Sequence, residues 1–187
     1  MHKRVVITGL GVVAPNGVGL TAFTEAIKNG TSGIKHAPEL ERLQFACKIA
    51  GKHELSDELI SRYMNDLELR NFNSTAILYG IIAGMDAWQD AGLPIASTDE
   101  PDWDSGTIFG TGTSGIDKFR EAIYKVDELQ LRKLGSSVVV QTMASGISAY
   151  LSGKLGLGNQ VSSNSSACTT GTESILMAYD RIKSGQA

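Results

Sequence analysis

Cys168 is the residue of this sequence whose type and surroundings best suit covalent chemistry. It stands in Ser163-Asn164-Ser165-Ser166-Ala167-Cys168-Thr169-Thr170-Gly171, where a short strand candidate, Gln160 to Ser165, runs into small residues before a helix expected over Ser166 to Ser184. A thiol at a helix amino terminus lies in the positive end of the macrodipole, which favours the thiolate that attacks carbonyl carbon. Free N–H groups of that first turn can stabilise a developing oxyanion, and small neighbours leave room for a substrate. The local pattern fits an inert core cysteine equally well. Cys47 sits in the polar stretch Gln44-Phe45-Ala46-Cys47-Lys48 without a comparable helix start, and it reads as unreactive. The usual base for a thiol is histidine, but His2, His36 and His53 read as solvated surface residues. The chain thus carries a nucleophile without its partners.

Two glycine-rich turns are further candidates. Gly9-Leu10-Gly11-Val12-Val13-Ala14 has the G-x-G-x-x-A spacing of a dinucleotide-binding turn after a strand. Nucleotide binding needs a helix to open at once, yet Pro15-Asn16-Gly17 lies across that position, and Gly30 to Gly33 stand where a ribose-binding acid belongs. A structural turn is the better reading. Gly110-Thr111-Gly112-Thr113-Ser114-Gly115 lets backbone approach a neighbour closely, but no Lys-Ser or Lys-Thr follows as in a P-loop, and Ser114 lacks nucleophile-elbow spacing.

The elements that would position these residues alternate in type. Arg4 to Ile7 reads as a buried strand, followed by a helix from Thr21 to Lys28 that Gly30 terminates. A short helix is expected around Asp57 to Met64. Ser74 to Ala91 is the clearest helix, with Ile77, Ile81, Met85 and Trp88 on one stripe and Gly92 and Pro94 closing it. Gly106 to Gly110 resembles a central strand, and helices follow over Ile116 to Leu131 and Val138 to Gly153. Strands alternating with helices predict α/β layers with a mostly parallel sheet.

Composition narrows the partners. Over 187 residues the formal net charge is -3 and the composition is 42% hydrophobic, which describes a folded acidic chain without a global footprint for nucleic acid. No apolar run approaches a membrane span, and no signal peptide is expected. Two cysteines far apart give neither a disulfide framework nor metal-ligand spacing, so the cytoplasm is the expected compartment.

Ser165 to Gly171 resembles the nucleophile motif of elongating beta-ketoacyl-acyl carrier protein synthases, of the thiolase superfamily. Arg4-Val5-Val6-Ile7-Thr8-Gly9-Leu10-Gly11 is similar to the family's opening strand and turn, and Gly30-Thr31-Ser32-Gly33-Ile34 to its G-x-S-G-I signature. Tyr79 to Gly84, Asp90 to Leu93, Gly110 to Gly115 and Leu155 to Gly158 match other family segments in order. The resemblance implies an αβαβα layered fold with a buried nucleophile helix, residues 1–187 forming the amino-terminal half. It implies that Cys168 takes an acyl group from a carrier-protein thioester, which the carbanion of decarboxylated malonyl-carrier protein then attacks. Thr113 would line the acyl pocket near a dimer interface, and Arg132 and Lys133 would face the acidic acyl carrier protein. No cofactor or metal is implied. In the family a second half carries two histidines, a lysine and a further oxyanion donor, so the chain alone is expected to be inactive. A homodimer or heterodimer is expected, and the rival within the family is a non-catalytic, chain-length-setting partner subunit.

Overall fold

The computed structural model describes residues 4–52 and 55–187, so His2 and His53 lie outside the described residues. The chain opens with an extended segment, a hairpin of β1 (Val13–Ala14) and β2 (Gly17–Val18), and α1 (Leu20–Lys28). Gly30, at φ +63°, ends that helix as its position suggested. An antiparallel pair, β3 (Ile34–His36) and β4 (Ile49–Gly51), encloses α2 (Pro38–Arg42). Two short helices follow, α3 (Asp57–Ser61) and α4 (Asp66–Leu69), the second closed by a capping box between Asn65 and Glu68.

The core forms where α5 (Thr75–Asp90) packs on α8 (Gly146–Leu155). Ile77, Ile81 and Ile82 of α5 are fully buried with Ile147, Leu151 and Leu155 of α8 and with Met64. Ile147 and Leu151, one helical turn apart, seat over Gly80 and Gly84, which matches ridges to grooves along the i±4 rows. Each such aliphatic side chain contributes about 1.5–3 kcal/mol by leaving water. Between them in sequence come β5 (Thr107–Ile108), α6 (Ile116–Asp127), a 3₁₀ turn (Leu131–Lys133) and α7 (Val138–Thr142). The chain then runs through β6 (Val161–Ser162), a 3₁₀ turn (Ala167–Thr169) and α9 (Thr170–Lys183).

Two local expectations change. Arg4 to Ile7 takes no ladder partner among the described residues, and Val6 and Ile7 are 59% and 77% exposed, because a buried strand needs neighbours on both edges and both faces. Of the ladders present, β5–β6 is parallel while β1–β2 and β3–β4 are antiparallel. The helix expected over Val138 to Gly153 is two helices. Met143 is extended at ψ 145°, and the Thr142 hydroxyl donates back to the Val138 and Val139 carbonyls at 3.0 Å, competing with the helical ladder after a run of β-branched residues.

The Gly9-x-Gly11 motif is a packing device. An added Cβ at Gly9 would meet the Ala87 carbonyl oxygen at 2.2 Å, and one at Gly11 the Ala83 oxygen at 1.9 Å. Two glycines on one side of the extended chain therefore rest on the backbone of α5, one turn apart. The next helix opens only at Leu20, which removes the dinucleotide-binding reading.

Inside out polarity marks α6. Its buried residue is Lys118, 1% exposed, while Ile116, Phe119, Ile123 and Val126 face outward. The Lys118 ammonium donates to the Asn71 carbonyl at 2.6 Å and to Glu121, which also pairs with Lys125. Gln141, fully buried, donates to Asn71 O and Ser137 Oγ and accepts from Asn73 N–H, tying α7 to the segment before α5. Such a charge is tolerable inside only because it is paired and hydrogen-bonded.

Candidate active site

The site lies where two adjacent parallel strands end. Pairing of β5 with β6 continues past both strands, from Thr107 N–H to Gln160 O (2.8 Å), Phe109 N–H to Ser162 O (3.1 Å) and Thr111 N–H to Asn164 O (3.2 Å). Both chains then turn on the same side. One makes the glycine-rich turn into α6 and the other makes the cysteine turn into α9, and Ser165 Oγ donates to Gly112 O between them at 3.4 Å. Carboxyl ends of parallel strands are where α/β folds expose backbone groups and place their sites.

The cysteine turn is sharp. Ala167 has φ +51°, a left-handed conformation that an alanine adopts only when its surroundings impose it. Cys168 follows in the 3₁₀ turn, immediately before the Thr169 cap of α9, and its thiol is free and exposed. The first backbone-to-backbone bond of that turn runs from Thr169 N–H to Ser166 O at 3.2 Å. The amide of Cys168 therefore precedes the turn's own hydrogen-bonding and is available to an external acceptor.

A buried polar network holds the turn. Asn164 Nδ2 donates to the Thr170 carbonyl and to Glu173, both at 3.2 Å, and Asn164 Oδ1 accepts from Ser174 Oγ at 2.7 Å. Thr170 Oγ1 accepts from Ser166 N–H at 2.9 Å and donates to Ala167 O at 2.7 Å. Gly110 passes so close beneath that a Cβ there would meet Thr170 Cγ2 at 2.3 Å, Asn164 Oδ1 at 2.5 Å and Ser174 Oγ at 2.6 Å. The hydroxyls of Ser166 and Ser114 are buried without a partner.

The expected residues fall in separate places. Thr113 is exposed on the glycine-rich turn, next to the Gly112 carbonyl that meets Ser165, and its own carbonyl accepts from Thr111 Oγ1 at 2.8 Å. Arg132 and Lys133 are exposed on the turn beyond the far end of α6, a helix about 18 Å long. The structure thus brings the Thr113 turn to the Cys168 turn and leaves the basic pair apart from both. Cys47 lies on the β3–β4 connection, its thiol donating to Ile49 O at 3.6 Å. His36, exposed, pairs with Glu41 at 3.3 Å on that same hairpin. Burial of the cysteine helix is met on one face only. Thr170 and Ser174 are buried, whereas Ile175, Leu176, Met177 and Tyr179 are open. Sequence reasoning missed Asn164, Thr170, Ser174 and Gly110 as a unit. The visible signal was the four-residue step from Thr170 to Ser174, which puts two hydroxyls on one face of α9.

Parallel strand ends, an exposed cysteine at a strained turn and a helix behind it define an α/β protein with a candidate thiol site, and likeness to known proteins gives its fold as the thiolase-like layered one. The chain belongs to the beta-ketoacyl synthase family, whose amino-terminal domain matches residues 2–187. It is similar to the 3-oxoacyl-[acyl-carrier-protein] synthase 2 of Vibrio harveyi, 31% identical over 99% of this chain and 43% of that protein. It is also similar to the synthase 1 of Escherichia coli strain K12, 31% identical over 98% of this chain and 44% of that protein. A solved type II polyketide ketosynthase, bound to its acyl-carrier protein and a hexaketide, superposes with a TM-score of 0.75 at 25% identity, covering this whole chain and 44% of its own. The chain therefore spans less than half the length of the curated relatives it matches. Among the described residues no helix is long and apolar enough to cross a membrane.

Proposed function

We propose that this chain supplies the acyl-carrying half of a beta-ketoacyl-acyl carrier protein synthase, working in the cytoplasm. The observation that carries the reading is an exposed thiol at the start of α9, on a strained turn fixed by buried polar groups. Cys168 Sγ, as thiolate, attacks the thioester carbonyl of acyl-carrier protein, and the Cys168 N–H donates a hydrogen bond to the developing oxyanion. Collapse of that intermediate breaks the carbon–sulfur bond to the carrier, whose thiolate leaves and takes a proton. The carbanion formed by loss of carbon dioxide from malonyl-carrier protein then attacks the acyl-Cys168 carbonyl, giving the beta-ketoacyl thioester and returning the thiolate.

Decarboxylation needs groups that stabilise the carbanion, and those belong to a second half carrying the family's histidines and lysine. The uncovered apolar faces support that assignment: Ile175, Leu176 and Met177 on α9, with Val6 and Ile7, are surfaces of the kind another layer covers. The outward stripe of α6 is the corresponding candidate for a homodimer or ketosynthase heterodimer contact. Thr113 borders the acyl pocket in this reading, and Arg132 and Lys133 meet the acidic carrier protein. A non-catalytic partner subunit has no use for a thiol held in this way.

Labelling with iodoacetamide or cerulenin, followed by peptide mapping, tests the proposal. Modification is expected at Cys168. Modification at Cys47 with none at Cys168 refutes it.

A further inference from the structure

We propose that Thr170 is a positioning residue whose hydroxyl, separately from the packing of its methyl group, aims the Cys168 thiol and amide. This rests on the reading of Cys168 as the nucleophile. The direction of both groups is set by the backbone just before them, where Ala167 stands at φ +51°. In that conformation an L-residue crowds its Cβ against backbone oxygen, so the turn relaxes unless something holds it.

One atom does so. Thr170 Oγ1 accepts from Ser166 N–H at 2.9 Å and donates to Ala167 O at 2.7 Å. Those two groups lie on either side of the strained torsion, so the hydroxyl closes a bridge across it. No other side chain of the turn joins these two groups: the Ser166 hydroxyl has no partner, the Thr169 hydroxyl donates to Ser166 O at 2.8 Å, and the backbone Thr170 N–H holds the Ala167 O end alone. The Thr170 side chain is itself fixed. The residue is 5% exposed, its methyl sits against Gly110, and its carbonyl is held from behind by Asn164 and Ser174. A hydroxyl so confined has one orientation that satisfies both bonds. Without it, Ser166 N–H loses its partner and Ala167 O is left with the Thr170 N–H bond alone, both in a part-buried place, so the turn is freer to rearrange. The thiol stays exposed but no longer points, together with its amide, at a single carbonyl carbon.

Iodoacetamide alkylation rates at Cys168 and Cys47, measured in the same molecules across pH, read this out with Cys47 as internal reference. T170V keeps the shape and removes the hydroxyl, T170S keeps the hydroxyl and removes the methyl, and T170A removes both. T170V and T170A are expected to lower the Cys168 to Cys47 rate ratio roughly tenfold, about 1.4 kcal/mol in barrier. T170S is expected to stay within about twofold of the parent, a change of less than about 0.5 kcal/mol. An unchanged ratio in T170V and T170A overturns the role. So does a T170S ratio as low as that of T170A, because packing alone would then explain the residue. Should T170V fail to fold, the T170S and T170A pair decides, since both lack the methyl and differ only in the hydroxyl. A parent protein whose Cys168 reacts no faster than Cys47 removes the nucleophile reading itself, a result distinct from a fast Cys168 that ignores residue 170.

Discussion

Substituting alanine at Gly110 tests the packing beneath the site most directly. The added methyl would stand 2.3 Å from Thr170 Cγ2, 2.5 Å from Asn164 Oδ1 and 2.6 Å from Ser174 Oγ, all inside van der Waals contact. None of these is the free end of a long side chain. Thr170 is pinned by two hydrogen bonds through its hydroxyl, and Asn164 and Ser174 are bonded to each other at 2.7 Å. Relief requires β5 to back away from α9 or the Asn164–Ser174 bond to break. Overpacking of a tight interior costs about 1–3 kcal/mol, and a buried hydrogen bond lost with it adds about 1 kcal/mol. G110A should therefore destabilise the protein by about 2–4 kcal/mol, lowering the midpoint of thermal unfolding by roughly 5–15 °C for a chain of this size. The assay is calorimetric or circular-dichroism melting, with Cys168 alkylation measured on the folded protein. Alkylation at Cys168 should slow while Cys47, on the distant hairpin, keeps its rate. Stability within about 0.5 kcal/mol of the parent, with Cys168 unchanged, would refute the account, because ordinary surface substitutions fall in that range.

The buried polar cluster under α6 makes stability depend on acid. The hydrogen bond from Lys125 pulls the Glu121 carboxyl down to about 2, against the opposing effect of burial, with Asn73 and Lys118 assisting. A depressed carboxylate stabilises the fold above its unfolded pKa of 4.5, and that contribution drains away as pH falls from there toward 2. With the Glu121 side chain 26% exposed, solvent screening leaves about 2 kcal/mol of the roughly 3 kcal/mol that the shift represents. E121Q should be less stable than the parent in urea at pH 7, and the gap should narrow at pH 3; a gap independent of pH contradicts the assignment. Reversing the exposed pair in R132E/K133E should weaken carrier-protein binding roughly tenfold and flatten its salt dependence, as expected for rim charges that steer association. Equal affinity and salt dependence in isothermal titration would place the carrier contact elsewhere.

Much of the architecture is written in local pattern. The helix from Thr75 to Asp90 is legible because its apolar stripe repeats at helical spacing and Gly92 stops it, and the helix before Gly30 is legible for the same reason. The ordered motifs from Arg4 to Gly171 likewise carried the family, and Cys168 stood out through small neighbours and an approaching helix. What pattern could not resolve was which face of α6 turns inward. Apolar spacing points to Ile116, Phe119, Ile123 and Val126, yet the chain buries Lys118, because the Asn71 carbonyl arrives from a distant segment to join Glu121, one turn along the same helix, in satisfying the ammonium.

The sequence by itself determined the helix of Thr75–Asp90, the one before Gly30, the glycine turns and the choice of Cys168 as candidate nucleophile, since each depends on residues within a few positions of one another. Only the tertiary structure decided that Gly9 and Gly11 rest on α5, that Gly110 lies under Thr170, and that a threonine hydroxyl spans the turn before Cys168. Those contacts join segments tens of residues apart. Close packing and buried hydrogen bonds arise from where distant backbones meet, which no local periodicity records.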